Sequence, residues 1–331
     1  MPRNSHSSAP TLQHSITRSP RSILIIKPSS VGDVVQALPT VNLIRRKYPD
    51  AHIAWLINDA LASLLKNCPI IDERIEFRRR EYFKFPVLLA RLRRERFDVV
   101  VDLQGLLRSG LMTWATRAPR RIGLSDAREG ARLFYTETVA VNREHAVDRY
   151  LRAARHLGCD AGPIEFPLGL PPRAGADGLI AVNPSARWKT KLWGDDKFTE
   201  LVRRLPSKRV VLTGSVADRP RCELIARGCR NLAGGTTLLD LAELYARCAV
   251  VVTNDSGPMH IAAAVGTPVV AIFGPTDAAL TGPYGKQHVV LRAGIPCSPC
   301  LKGHCTHTPR MECMTLVTVE QVLAAMKPFL L

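Results

Sequence analysis

Residues 253–277, TNDSGPMHIAAAVGTPVVAIFGPTD, constrain this chain more than any other stretch, because a buried strand, a polar turn, a small-residue helix and a second strand follow without a gap. Residues 249–253 (AVVVT) are rich in β-branched side chains and too short for a helix, so they read as a buried strand. Asn254, Asp255, Ser256 and Gly257 break it, and Pro258 suits the first turn of a helix, where its missing N–H costs nothing. The helix spans 259–265, Gly266-Thr267-Pro268 stops it, and 269–273 is the next strand. Strand, helix and strand joined so closely imply a parallel sheet with a helical crossover. Such sheets bind ligands beyond their strand C-termini, and a helix beginning there offers unpaired N–H groups to an anion. Phosphate or diphosphate is the natural ligand; an Asx-capped helix with no ligand accounts for the same spacing.

A length of 331 residues with 46% hydrophobic and only 6% aromatic content suits two domains with aliphatic cores. No apolar run approaches the ~20 residues that span a bilayer, and the N-terminus lacks the apolar core of a secretory signal, so the cytoplasm is the expected compartment. Residues 1–21, polar and rich in Ser with Arg but no acid, read as a disordered basic tail. The formal net charge of +17 calls for an anionic partner or surface. Much of it lies in the first half: Arg78, Arg79, Arg80, Lys84, Arg91, Arg93, Arg94, Arg96, Arg108, Arg117, Arg120 and Arg121. Tyr82, Phe83, Phe85, Leu88, Leu89 and Leu92 interleave with these, like a basic amphipathic surface helix broken near Pro86. Contact with anionic lipid and a solvated basic face both fit that pattern. No zinc finger, RNP-like motif or repeat turns the charge into base readout, so nucleic acid is not an expected partner.

Strands at 22–27, 51–57, 74–77 and 98–102 alternate with helical patterns, and 158–175, with Pro and Gly interspersed, reads as a linker. After the first strand, Pro28-Ser29-Ser30-Val31-Gly32-Asp33 leads into a helix through Lys47, which places Asp33 at a strand-to-helix turn. There it is either a capping residue or a general base aimed into a cleft. Neither G-x-G-x-x-G nor a P-loop occurs anywhere. The second half restarts with a strand at 179–182, followed by NPSARWKTKLW, whose cations and hydroxyls suit phosphate. An amphipathic helix at 317–329 closes the chain. Cys297, Cys300, Cys305 and Cys313, with His304 and His307 between, have a spacing open to zinc or to plain structural thiols. The other five cysteines read as reduced buried thiols. No D-x-D is present, so no carboxylate pair is placed to hold a divalent cation on a diphosphate.

Taken together, KPSSVGDVVQALP, DLQGLLRS, KTKLW, NDSGPMHIAAAVGTPVVAIFGPTD and the CSPCLKGHC…CM stretch resemble the ADP-heptose:lipopolysaccharide heptosyltransferase family, glycosyltransferase family nine, from Ile23 onwards. DLQGLLRSG, AREGARLFYT and HAVDRYL bring the chain closest to its heptosyltransferase I branch. The resemblance implies a GT-B architecture: two Rossmann-like doubly wound domains, 22–172 and 173–331, facing across a cleft. The first holds the acceptor, the second the nucleotide sugar, and neither a metal nor a cofactor is required. It implies Asp33 as the general base of an inverting transfer from ADP-heptose to Kdo-lipid A. Lys191 neutralises the departing diphosphate, with Ser185, Ser256, Gly257 and His260 beside it. Asp255 meets the heptose hydroxyls, since a second anion on the diphosphate is repelled. Glu223 meets the ribose, Thr236 the adenine, and Arg120 and Arg121 the anionic acceptor. The implied place is the cytoplasmic surface of the inner membrane. A transferase for another nucleotide sugar or a later core acceptor, and a non-catalytic nucleotide-sugar-binding protein, are the competing readings; retention of both Asp33 and Lys191 argues against the last.

Overall fold

The computed structural model describes residues 19–78, 81–160, 162–171 and 177–330, so most of the expected tail lies outside the described residues. Apolar β-branched runs separated by Gly, Pro and Asx turns fold as two sheets, each six-stranded and wholly parallel. The first contains β1 Ser22–Ile26, β2 His52–Asn58, β3 Glu73–Phe77, β4 Val99–Asp102, β5 Arg120–Leu124 and β6 Glu137–Val139. Their order is β3-β2-β1-β4-β5-β6. Helices α1 Val31–Lys47, α2 Phe85–Arg94, α3 Leu107–Ala115 and α4 Ala146–His156 cover its faces.

The second sheet contains β7 Leu179–Asn183, β8 Val210–Leu212, β9 Arg230–Asn231, β10 Cys248–Asn254, β11 Val269–Ile272 and β12 Val289–Leu291. It runs β12-β11-β10-β7-β8-β9. Around it lie α5 Asp195–Arg203, α6 Arg219–Ala226, α7 Leu238–Arg247, α8 Gly257–Ala264, the single turn α9 Ala278–Thr281, α10 Glu312–Thr315 and the closing α11 Val319–Met326. Counted from each sheet's own first strand, both orders are 3-2-1-4-5-6, the doubly wound arrangement whose ligand crevice opens where the order reverses, between β1 and β4 and between β7 and β10. The two Rossmann-like domains expected from the sequence are present.

Three local differences have clear causes. Pro86 stands in the first turn of α2 and begins that helix instead of breaking one, because no intrahelical N–H is needed there. The helical pattern at 59–66 winds as a 3-10 helix, Asp59–Leu65, started by Asn58 Oδ1 accepting from Ala60 N. The edge strands β9 and β12, two and three residues long, carry too little apolar pattern to be read from sequence.

A single apolar core spans both domains. It includes Val35, Leu38 and Leu65 from the first with Leu241, Tyr245, Met259 and Ile261 from the second. The helix starts of α1 and α8 meet at the centre. A Cβ on Gly32 would lie 2.4 Å from His260 Cδ2, and one on Gly257 would lie 2.8 Å from Val31 Cβ. Glycine is needed at both positions because backbone from one domain approaches the other more closely than any side chain permits. His145 Nε2 to the Gly282 carbonyl at 3.1 Å, Tyr284 donating to Asp148 at 3.0 Å and the Arg143–Asp277 ion pair at 2.9 Å extend the contact outward.

Candidate active site

Asp33 is the third residue of α1, just beyond the C-terminal end of β1. Its Oδ2 accepts from Ser30 N at 3.0 Å and Ser30 Oγ at 2.7 Å, so the capping role is real. Its Oδ1 accepts from Tyr150 Oη at 2.9 Å and faces Lys27 Nζ at 3.5 Å. Burial opposes ionisation, but Lys27 and the Ser30 and Tyr150 donors outweigh it and hold the carboxyl well below the usual carboxylate range. Lys27, at the end of β1, is itself buried and lies 5.0 Å from the Tyr150 ring centroid. Lys27 opens the KPSSVGDVVQALP motif and Tyr150 lies in HAVDRYL, but neither motif gives them a role. The available signal was a lysine closing an otherwise apolar strand at its ligand edge.

Across the interface, β10 ends in Asn254, and Asp255 follows, buried, before Ser256 at the first position ahead of α8. Lys191, in the 3-10 turn Lys189–Lys191, forms an ion pair with Asp255 at 2.6 Å and lies over the Trp188 ring. Thr276 Oγ1 donates to the same Asp255 oxygen. Asn254 holds the turn in place, donating to the Pro184 carbonyl at 2.6 Å and accepting from Trp193 N at 3.1 Å. Ser185 Oγ is buried without a hydrogen-bond partner in the usual geometry, and Thr253 Oγ1 meets Ser256 Oγ at 3.2 Å.

His260 sits where the domains touch, against Gly32, and senses both Asp255 and Asp33. Burial pushes its pKa down to about 4 against the pull of those carboxylates, so it is neutral at pH 7. The linkage sign follows: the unfolded chain binds a proton near the ordinary histidine value of ~6.5 while the folded chain does not until about 4. Stability is therefore lost as pH falls through that window, on the order of 3 kcal/mol from this group. Melting temperature measured from pH 7 to pH 4.5 should drop less steeply in His260→Gln than in the parent. Parallel curves would show that another group carries the acid sensitivity.

The structure thus brings Asp33, Lys191, Asp255, Ser256, Gly257 and His260 together at two facing helix starts. Glu223 is exposed on α6 and accepts from Asn231 Nδ2 at 2.7 Å, and Thr236 lies partly exposed in the loop before α7. Both stand outside the contact network of Lys191 and Asp255.

Arg120 and Arg121 are not brought to the cleft. They open β5, and the register that sets Val99 opposite Arg120 and Asp102 opposite Gly123 puts them at the far end of the sheet from Asp33. Arg120 is held in a bidentate pair with Glu137 at 2.7 and 2.8 Å, and Arg121 donates to the carbonyls of Phe134 and Ala118. The cavities of the first domain near Asp33 are lined by other residues. One of about 190 Å³ runs from Ser29 past Asn58, Gln104 and Met112. Another of about 550 Å³ shares Phe77 and Arg108 with it and reaches Lys84, Phe85 and Arg91.

All nine cysteines are free thiols. Cys297, Cys300, Cys305 and Cys313 line one small cavity with His304 and His307, and among the described residues no three such side chains are arranged to hold a metal. The loop instead braces the Lys191 turn and the loop after β11. Thr190 Oγ1 donates to the Lys302 carbonyl at 3.0 Å, and Leu301 N to the Pro275 carbonyl at 2.7 Å.

Two doubly wound domains with facing helix starts, a carboxylate on one side and a lysine-bearing turn on the other, define a nucleotide-sugar glycosyltransferase of GT-B form. Residues 87–310 match the model of glycosyltransferase family 9 (heptosyltransferase). The chain is 31% identical over 323 residues to lipopolysaccharide heptosyltransferase 1 of Pseudomonas aeruginosa, covering 88% of this chain and 89% of the relative. It is 27% identical over 299 residues to lipopolysaccharide heptosyltransferase 1 of Escherichia coli, covering 82% and 93%. The solved E. coli ADP-heptose lps heptosyltransferase II superposes with a TM-score of 0.76 at 26% identity, covering 93% and 98%. This chain belongs to glycosyltransferase family 9, and its resemblance to the heptosyltransferase I branch agrees with the first two relatives.

Proposed function

We propose that the protein transfers L-glycero-D-manno-heptose from ADP-heptose to Kdo of a lipid A inner core, inverting the anomeric centre in one displacement. The observation that carries this reading is the meeting of the α1 and α8 helix starts, which sets an ionised carboxylate opposite the half-buried Lys191 with the β7 and β10 strand ends behind it. The acceptor hydroxyl oxygen attacks the anomeric carbon as the bond to the diphosphate oxygen breaks. The electron pair leaves with ADP, and the hydroxyl proton passes to Asp33. A carboxylate as acidic as this one takes that proton late, once the forming bond has made the attacking oxygen positive.

The transition state has oxocarbenium character, so negative charge grows on the diphosphate. Lys191, drawn from its pair with Asp255, meets it there with the α8 backbone N–H groups and Ser185. Their cationic and dipolar charge supplies what a divalent ion would otherwise provide, and the reaction is expected to run without added metal. Glu223 and Thr236 bind ribose and adenine. The acceptor lies along the cavities beside Ser29, at the cytoplasmic surface of the inner membrane; among the described residues no helix is long and apolar enough to cross a membrane.

The decisive experiment incubates the protein with ADP-heptose and purified Kdo2-lipid A in EDTA, read by mass spectrometry. A gain of one heptose is expected. No gain on this acceptor, with a gain on an acceptor already carrying one heptose, would move the protein to the later step.

A further inference from the structure

We propose that the outer layer formed by α2, α3 and the 3-10 turn Ala131–Phe134 is a docking surface for an anionic lipid bilayer. The two helices cover the outer face of the first sheet with Leu88, Leu89, Leu92 and Met112, and pack side by side, with the 3-10 turn against α3. Their opposite faces therefore point to solvent, and there, together with the turns at 82–84 and 131–134, they carry large apolar side chains among arginines. Phe83 is 76% exposed, Val87 69%, Trp114 59% and Leu133 86%. Single exposed hydrophobics need no explanation, but several on adjoining elements form a patch of the kind that marks an interaction site.

The charge around that patch selects its partner. Arginines elsewhere on the surface include ones paired with acids, as Arg45 is with Asp72 and Arg204 with Glu320. Among the described residues, Arg93 and Arg94 on α2, Arg117 just after α3, and Arg128 and Arg132 beside the 3-10 turn have no acidic partner, and all five are exposed, so cations without acidic partners surround the apolar side chains. A second copy of this chain would bring the same unpaired cations face to face, which is repulsive. Nucleic acid would match the cations but gives Val87 and Leu133 nothing to bury against. A bilayer with anionic headgroups satisfies both features: the guanidinium groups meet phosphate while the apolar side chains enter the acyl boundary.

The position of the patch fits the chemistry proposed above, on which only this last link rests. The larger cavity opens beside α2 with Phe85, Val87, Lys84 and Arg91 on its wall. Through Phe77 and Arg108 it continues to Ser29, next to the residue that caps Asp33. A bilayer seated on α2 and α3 puts the mouth of that groove at headgroup depth, where a lipid-anchored acceptor has its sugar.

The test is co-flotation with phosphatidylglycerol or phosphatidylcholine vesicles at rising salt, together with quenching of tryptophan fluorescence by brominated acyl chains. Trp55 and Trp193 are buried and Trp188 lies under Lys191, so quenching should come from Trp114 and vanish in Trp114→Phe. Binding is expected to phosphatidylglycerol alone, and to weaken roughly fivefold for each cation removed in Arg93→Gln and Arg94→Gln. Leu133→Ser should weaken it without altering its salt dependence. Transfer to a delipidated, water-soluble acceptor should be unchanged in all these variants. Vesicle binding does not require transfer, so the docking surface stands even if the proposed reaction fails. Absence of binding, equal binding to phosphatidylcholine, or binding that leaves Trp114 unquenched overturns the proposal. A dimer in light scattering that Leu133→Ser dissolves would also overturn it, by assigning the face to a second copy.

Discussion

Asp33→Asn is expected to lower the transfer rate by roughly 10²–10⁴-fold while leaving ADP affinity unchanged, because it removes the proton acceptor and touches nothing on the donor side. The substitution is close in shape but removes the charge that balances Lys27, which is buried. Melting temperature must therefore be read alongside rate, so that a weakened fold is not mistaken for a lost base. pH dependence separates the two further. In the parent, Lys27 and the hydrogen bonds from Ser30 and Tyr150 keep Asp33 ionised across the whole working range, so activity between pH 8 and pH 5 should show no acid limb from this group. Lys27→Met removes the opposing charge and leaves burial as the largest influence on Asp33, which raises its pKa and brings an acid limb into view. A flat profile in Lys27→Met, or full activity in Asp33→Asn, would remove Asp33 from the chemistry and leave it as a helix cap.

How much of this was legible in the sequence depends on whether the information is local. The turn at Asn254–Gly257 and the helix after it are written in adjacent residues, and the parallel architecture follows from that short strand-helix-strand spacing. Asp33 and Asp255 could be placed beyond strand ends for the same reason. The contacts that tune them could not, since Tyr150 reaches Asp33 across 117 residues, and Thr276 and Lys191 reach Asp255 from two other loops. Only the strand order brings those together. A lone anion at Asp255 would be repelled by the diphosphate, but Lys191 neutralises it, so that repulsion is largely removed.

The assignment of Arg120 and Arg121 to the acceptor had a different fault. Charge counts carry no direction, yet both residues precede the apolar part of β5 and so belong to the strand's start. The rule that placed Asp33 at a strand C-terminus, applied to them, excludes them from the crevice.

Lys191→Ala should be more damaging than the loss of one phosphate contact, because Lys191 is already committed to Asp255. Removing a donor aimed at developing charge costs roughly 10²–10³ in rate. Here the same substitution also leaves Asp255 buried and unpaired beside the site where the diphosphate binds, and breaking a buried pair from one side costs about 3–5 kcal/mol. Both effects oppose ADP binding, so the expected result is a fall of at least 10³-fold in kcat/KM with a clear loss of ADP affinity by calorimetry. Asp255→Asn predicts the opposite sign for binding: it keeps the acceptor for Thr276, releases Lys191 to the diphosphate and should tighten ADP. In that background the further change Lys191→Ala should cost only the single-donor amount, because no buried anion is stranded. The cycle of four proteins therefore measures the coupling between the two residues directly. If Lys191→Ala costs the same with Asp255 present or replaced, the ion pair has no part in donor binding, and the lysine acts on the diphosphate as an independent charge.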